Sequence, residues 1–271
     1  MTNADKEGDR VPNRQQKAID ELVRLHGNDP NKFALIICGS LATGKAREDS
    51  DVDLYLVVTD EEFERVRADE GCFYGSWDPN KFSGAEIDGK IVGKKFLQEA
   101  AVCGSEPTRA SFESAYTEFS HDPGIDALIE QIAAYPEWER ERRIKAFYAY
   151  TKHYRYIGEQ AFELGNDYFA RRCVIELVFF AARLVLAQNR VLFPCDKSLF
   201  VALDKCEDLP PEFVVSSRRL LDNPSRPAVI DYYEQVSGHF GPYDFPDQER
   251  ISFILENEWS WFSGLPSLGD W

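Results

Sequence analysis

A single methionine, four histidines and six cysteines are spread over 271 residues, and none of these scarce side chains is arranged for metal binding or crosslinking. Cys38, Cys72, Cys103, Cys173, Cys195 and Cys206 include no C-x-x-C pair, and His26, His121, His153 and His239 fall at none of the usual ligand spacings. That argues against a structural zinc site and leaves reduced, structurally ordinary thiols as the expectation. Long apolar runs are also missing. The most apolar stretch is broken at Glu176 and again at Arg183, far short of the roughly 20 residues a spanning helix requires. Met1 to Asn13 is polar and charged, without the apolar segment of a secretory signal, so a cytoplasmic protein with no membrane partner is expected. Positive charge is the last shortage: 31 Lys and Arg face 47 Asp and Glu, for a formal net charge of −16. A nucleic-acid polymer as main partner would call for a basic stripe instead.

What is present is the composition of a chain that folds, 44% apolar and 13% aromatic. The length fits one large or two modest domains. Residues 14–27 place Ile19, Leu22, Val23 and Leu25 near helical spacing, with Gly27 as a C-cap. Phe33 to Cys38 and Val52 to Val58 read as buried strands flanking a polar loop, and Glu61 to Asp69 as a short polar helix. Cys72 to Ser83 reads as irregular. Asp88-Gly89 between β-prone flanks predicts a hairpin with strands at about 84–87 and 90–97. From about Asp126 apolar residues recur at three and four. Ile144, Phe147, Tyr148, Thr151 and Tyr154 mark one long helix, Tyr168 to Leu186 a second that is apolar on most sides, and shorter helices follow between Pro-Pro, Asn-Pro and Gly-Pro breaks, ending in an aromatic tail with Trp259, Trp261 and Trp271. The reading is an α/β domain over 1–124 and a helical domain over 125–271, with no internal repeat.

The segment Gly-Ser-Leu-Ala-Thr-Gly-Lys-Ala-Arg-Glu-Asp-Ser-Asp-Val-Asp, residues 39–53, is where the chemistry concentrates. Gly39-x-x-x-x-Gly44-Lys45 fits a P-loop up to its last position, but Ala46 stands where a metal-binding hydroxyl is needed. Too few residues remain before the next strand for a crossover helix. The alternative takes Gly39-Ser40 and Asp51-Val52-Asp53 as one unit. Side chains alternate along a strand, so Asp51 and Asp53 project from one face, about 6–7 Å apart by strand rise. Val52, Leu54, Leu56 and Val58 fill the other face. Paired carboxylates repel unless a cation sits between them, and hard oxygen ligands of this kind suit Mg2+ held with substrate phosphates. Gly39 lets the backbone approach a phosphate, and Ser40 can donate hydrogen bonds to it.

Gly39-Ser40 together with Asp51-Val52-Asp53-Leu54 resembles the signature of the DNA polymerase beta-like nucleotidyltransferase superfamily, in particular its small antibiotic-modifying members for aminoglycosides and lincosamides. The motif spans about twenty residues; the general layout covers the chain. The resemblance implies an α+β fold, a minimal nucleotidyltransferase α/β domain with a mixed sheet followed by a helical substrate-binding domain. It implies that Gly39 and Ser40 bind the triphosphate of an NTP, with ATP as the expected co-substrate, and that Asp51 and Asp53 bind Mg2+. Such enzymes usually carry a third carboxylate on a neighbouring strand, which helps hold a second metal and activate the acceptor hydroxyl. The expected strand, Lys90 to Leu97, offers no acid; the nearest substitutes are Glu86 and Asp88 across the hairpin, and Asp88 has a ready explanation as the first turn residue, so the third ligand is left unassigned.

On this reading an NMP group passes to a hydroxyl of a small, cationic acceptor such as an aminoglycoside. Glu176, a lone acid in an apolar helix, is the candidate general base. Lys45 and Lys197 are candidate phosphate ligands, Arg109 is a candidate for the acceptor site, and Tyr148, Tyr154, Tyr156 and Phe162 could wall it. Two alternatives stand beside this one: a degenerate fold that binds without turnover, favoured by the lysine-rich third strand, and a toxin-like or regulatory nucleotidyltransferase acting on protein or tRNA.

Overall fold

The structure, a computed structural model, describes residues 12–69, 71–241 and 247–264. The polar N-terminal stretch up to residue 11, Pro242 of the Gly-Pro break and Trp271 of the aromatic tail lie outside the described residues. The chain forms two compact units, Met1–Ala134 and Tyr135–Trp271.

The first unit is built on a five-stranded sheet. In chain order it runs α1 (Asn13–His26), β1 (Lys32–Ile37), α2 (Gly39–Ala42), β2 (Val52–Val58), α3 (Asp60–Asp69), β3 (Phe73–Ser76), β4 (Ile87–Gly93), α4 (Lys94–Cys103), α5 (Glu106–Ser111), β5 (Tyr116–Ser120) and α6 (Ile125–Ala133). The sheet order is β3-β4-β2-β1-β5. β1 is antiparallel to both β2 and β5, β2 is parallel to β4, and β4 is antiparallel to β3. The fold is therefore α+β with a mixed sheet. β2 is central and covered on both faces, which is why Leu54 to Val58 is continuously apolar rather than alternating. Leu35, Ile37, Val52, Leu54, Leu56 and Ile87 pack on one face against Ala18, Ile19 and Leu22 of α1. Ala34, Ile36, Tyr55, Val57 and Val92 pack on the other against α4, Phe112 and α6.

Two expectations fail in this unit. The Asp88-Gly89 pair is not a hairpin turn: both lie inside β4, which replaces the expected strands at 84–87 and 90–97 and ends where Gly93 opens α4. Gly89 is required for packing, because a Cβ there would meet Leu54 Cδ1 and the Tyr74 carbonyl oxygen, each at 2.7 Å. The segment read as irregular contains β3, an edge strand whose antiparallel partner is β4. The first compact unit runs to Ala134, and Ile125, Ile129 and Ile132 of α6 complete its core beneath α4.

α1 is tied to β3 by His26, whose Nε2 lies 2.7 Å from the Tyr74 hydroxyl. Burial, assisted by Lys32, holds the imidazole below the ordinary histidine pKa, against an opposing pull from Asp29. The unfolded chain therefore takes up this proton more readily than the folded one. The stabilising contribution is complete above about pH 6.5 and is lost as pH falls through the lower folded value. His26→Gln is expected to show a shallower loss of stability between pH 7 and 5 than the parent, read as urea midpoints across that range; parallel curves would rule the histidine out as the source.

The second unit is helical. α7 (Glu137–Glu163) and α8 (Asp167–Gln188) are joined by three residues and so pack as an antiparallel pair. α9 (Leu199–Leu203) and α10 (Phe213–Asp222) pack on α8, α11 (Arg226–Phe240) packs on α7 and α10, and α12 (Asp247–Glu258) lies along α7. α8 buries Cys173, Val174, Leu177, Val178, Ala181, Ala182 and Leu184 to Ala187, the several-sided burial its sequence predicts. Among the described residues no helix is long and apolar enough to cross a membrane, and all six cysteines are free.

Candidate active site

The site begins where β1 ends. After Ile37 the chain turns through Cys38, whose amide donates to the Asp53 carbonyl at 3.0 Å, into the single turn of α2. Gly39 adopts φ +66°, and a Cβ there would overlap the Asp53 carboxylate. The glycine is thus required twice, by its left-handed backbone and by the acid resting against it. The Ser40 carbonyl accepts from the Lys45 amide at 2.9 Å and from the Thr43 hydroxyl at 3.1 Å, so residues 39–45 form a compact corner with the Lys45 side chain exposed. β2 then runs antiparallel to β1, a connection no P-loop makes.

Asp51 and Asp53 share a face, as their spacing predicts, and a third acid joins them. The parallel register pairs Asp53 with Asp88. One carboxylate oxygen each from Asp51, Asp53 and Asp88 lie within 4.8 Å of one another, and all three residues are half-buried. Among the described residues this is the one such group of acidic, histidine or cysteine side chains that could hold a metal ion. Three hard oxygen donors converging from rigid strands fit Mg2+. Asp88 is the third acid that the local sequence leaves unassigned, because Asp88-Gly89 has the composition of a hairpin turn. A signal was available: Ile87-Asp88-Gly89-Lys90-Ile91 alternates apolar and polar without a break, with glycine on the apolar side, as one strand should.

The surroundings are specific. The buried Cys38 thiol is pushed up to about 12, by burial first and then by Asp53, with Lys90 opposing and Asp88 and Asp51 adding; it stays protonated and offers no thiolate ligand at neutral pH. One step along the sheet from Asp53 and Asp88, Tyr55 pairs with Lys90. The Tyr55 hydroxyl lies 3.1 Å from the Ser111 hydroxyl, its ring stacks on Phe112, and Lys90 Nζ lies 5.5 Å from the ring centre.

The loop that delivers Asp51 is held from α1. Gln15, fully buried, donates from Nε2 to the carbonyls of Glu48 at 3.0 Å and Ser50 at 2.7 Å. Nothing in the local sequence marks this residue, since a buried glutamine on an amphipathic helix reads like any polar position. Gln15→Leu keeps the volume and leaves both carbonyls unpaired. It is expected to lower the melting temperature by roughly 3–10 °C, from about 1–3 kcal/mol of lost hydrogen bonding, and to weaken Mg2+-dependent nucleotide binding several-fold. Calorimetry and equilibrium binding check the two effects; unchanged binding would mean that Asp51 is placed without Gln15.

The remaining candidate residues have these surroundings. Arg109 is a structural clamp, not an acceptor ligand. Only 1% exposed, it donates to the carbonyls of Ala101 and Gly104 at the end of α4, and of Gln131, Ile132 and Ala134 at the end of α6. It satisfies carbonyls that helix ends leave without partners. Glu176 lies on α8 of the second unit, where Arg172 Nε binds its carboxylate at 2.8 Å. Lys197 stands exposed in a helical turn, Asp196–Ser198, of the same unit. Of the four aromatics read as a wall, Tyr148 is buried, Tyr154 and Phe162 are half-buried against the helical core, and Tyr156 is exposed.

Residues 16–105 match the family model described as "Nucleotidyltransferase domain", a stretch that contains Gly39, Ser40 and all three aspartates. The fold is similar to the crystal structure of a nucleotidyltransferase-like protein from Exiguobacterium sibiricum 255-15, at 14% identity and a TM-score of 0.50, over 92% of this chain and 78% of that one. No curated protein matches the chain.

Proposed function

We propose that the protein moves a nucleoside monophosphate from an NTP, with ATP as the expected donor, to a hydroxyl of a small molecule. The observation that carries this reading is the convergence of Asp51, Asp53 and Asp88 within 4.8 Å, beside a glycine-serine corner and inside a stretch that matches a nucleotidyltransferase domain. The lysine-rich strand that favoured a degenerate binding fold loses its weight, because the missing acid stands two residues before Lys90.

In the proposed reaction the acceptor oxygen forms a bond to the α-phosphorus. The bond from that phosphorus to the oxygen bridging to the β-phosphate breaks, and its electron pair leaves with pyrophosphate. Mg2+ held by Asp51, Asp53 and Asp88 would neutralise charge on the attacking and departing oxygens. Gly39 and Ser40 receive the phosphate chain, with Lys45 beside it on the same corner. Asp88, outermost of the acids toward the sheet edge, accepts the proton of the acceptor hydroxyl and returns it to solvent. Glu176, already engaged by Arg172, is not required for that step.

The acceptor we propose is cationic, an aminoglycoside-type antibiotic, which would make the protein a resistance enzyme of the cytoplasm. A net charge of −16 supports a cationic small molecule over nucleic acid as partner. The test is a pyrophosphate-release screen of purified protein with each NTP against aminoglycosides, lincosamides, nucleosides and tRNA. Turnover confined to small hydroxylated compounds is expected. Turnover with tRNA alone would overturn the acceptor class, and binding of Mg2+-NTP without any release would overturn catalysis.

A further inference from the structure

An aromatic pair sits beside the carboxylates on the edge strand. β3 lies next to β4, and opposite residues of antiparallel neighbours share a face. Phe73 is opposite Lys90 and Gly75 is opposite Asp88, so Phe73 and Gly75 lie on the face that carries the three acids. The Phe73 ring occupies the space a Cβ at Gly75 would fill. It therefore lies flat along the strand toward Asp88. Trp77 stacks on it, with ring centres 5.4 Å apart and planes 17° from parallel. Phe73 is 53% and Trp77 64% exposed. Large aromatic rings stacked on one another in the open beside a metal-binding cluster contribute nothing to either core cluster of this unit, neither of which includes them.

We infer that Phe73 and Trp77 form the platform on which the acceptor ring stacks. This assignment rests on the nucleotidyl-transfer reading. Across the active face the strands run β1, β2, β4, β3. The phosphate corner, Gly39-Ser40, follows β1; Asp51 immediately precedes β2 and Asp53 lies in it; Asp88 belongs to β4; Phe73 opens β3 and Trp77 follows its last residue. In an in-line displacement the entering and leaving oxygens lie on opposite sides of phosphorus. Pyrophosphate departing toward the corner after β1 requires the acceptor hydroxyl to arrive from the side of β4 and β3. There the aromatic pair begins one strand spacing, about 4.8 Å, beyond Asp88. The nucleoside hangs from a different substituent of the same phosphorus and does not occupy that approach.

The acceptor's chemistry follows from its neighbours. Extending the register by one residue sets Trp77 across from Glu86, which is exposed and has the same strand parity as Asp88. Two π-faces bordered by two acids suit a hydroxylated ring that carries an ammonium group, through apolar stacking, cation–π attraction and charge pairing. Lys90, opposite Phe73 on the same face, lies over the Tyr55 ring.

The test uses the full chain with ATP, Mg2+ and kanamycin, lincomycin or uridine as acceptor probes, and the variants Phe73→Ala, Trp77→Ala, their double and Trp77→Phe. Both side chains are exposed, so the variants should fold. The double variant is expected to raise the KM for kanamycin at least ten-fold, with kcat within three-fold and the Kd for Mg2+-ATP within two-fold of the parent. Trp77→Phe should stay close to the parent. A weakened Kd for Mg2+-ATP with an unchanged acceptor KM would give the pair to the nucleotide base and overturn the assignment. Turnover of the parent with variants that match it would overturn the assignment alone. Turnover confined to uridine would overturn the ammonium requirement. A parent that binds Mg2+-ATP but releases no pyrophosphate with any probe overturns the transfer reading and this assignment together.

Discussion

Asp88→Asn is expected to cut pyrophosphate release about a thousand-fold, the scale seen when one group stabilising developing charge is removed from an active site. The fold should survive. Three carboxylates within 4.8 Å of one another repel in the metal-free protein, so replacing one by a neutral amide of the same shape should leave the melting temperature equal to or above that of the parent. The gain on adding Mg2+ should shrink instead, because ligand stabilisation grows with the ratio of concentration to Kd. The substitution also separates the two accounts of this residue. Asparagine serves as well as aspartate in a two-residue hairpin turn, so a turn role would make Asp88→Asn silent. Thermal melts with and without Mg2+, beside initial rates of pyrophosphate release, read both effects.

Gly39→Ala should abolish Mg2+-dependent NTP binding and lower stability as well. The positive φ of Gly39 costs an alanine about 1–2 kcal/mol, and the new Cβ collides with the Asp53 carboxylate. Either the acid moves off its position beside Asp51 and Asp88 or the corner moves away from the acids. Gly165→Ala separates these contributions. Gly165 has φ +63° but nothing within 4 Å of its Cβ position, so it carries the same backbone strain without a carboxylate nearby. Both variants should lose a few degrees of melting temperature; Gly39→Ala alone should lose nucleotide binding. Equal binding in the two would show that Gly39 serves the backbone only.

Much of this site is legible in the sequence because it is local. β1 and β2 announce themselves as short apolar runs, and period-two alternation sets Asp51 and Asp53 on one face. Gly39-Ser40 stands at the end of the preceding strand. Helical periodicity likewise marks α7 and α8 from their own residues. Apart from the unbroken alternation of Ile87 to Ile91, what the sequence hides is non-local. Asp88-Gly89 looks like a turn because the reason for Gly89 lies across the sheet, in Leu54 and Tyr74, and no window around residue 88 contains them. Arg109 reads as a candidate for the acceptor site until the ends of α4 and α6 close over it. Gln15 acquires its role from carbonyls more than thirty residues away. Phe73 and Trp77 stand in a segment that reads as irregular, and only the placement of β3 at the edge of the sheet sets them exposed beside Asp88.

The proposed transfer requires Asp51 and Asp53 to grip a divalent cation together with a phosphate chain. Equilibrium binding of α,β-methylene-ATP, whose scissile linkage cannot react, measures this without reference to any acceptor. Binding to the parent is expected to require Mg2+ and to vanish in Asp51→Ala/Asp53→Ala; binding that persists without the metal, or survives loss of both acids, would contradict it.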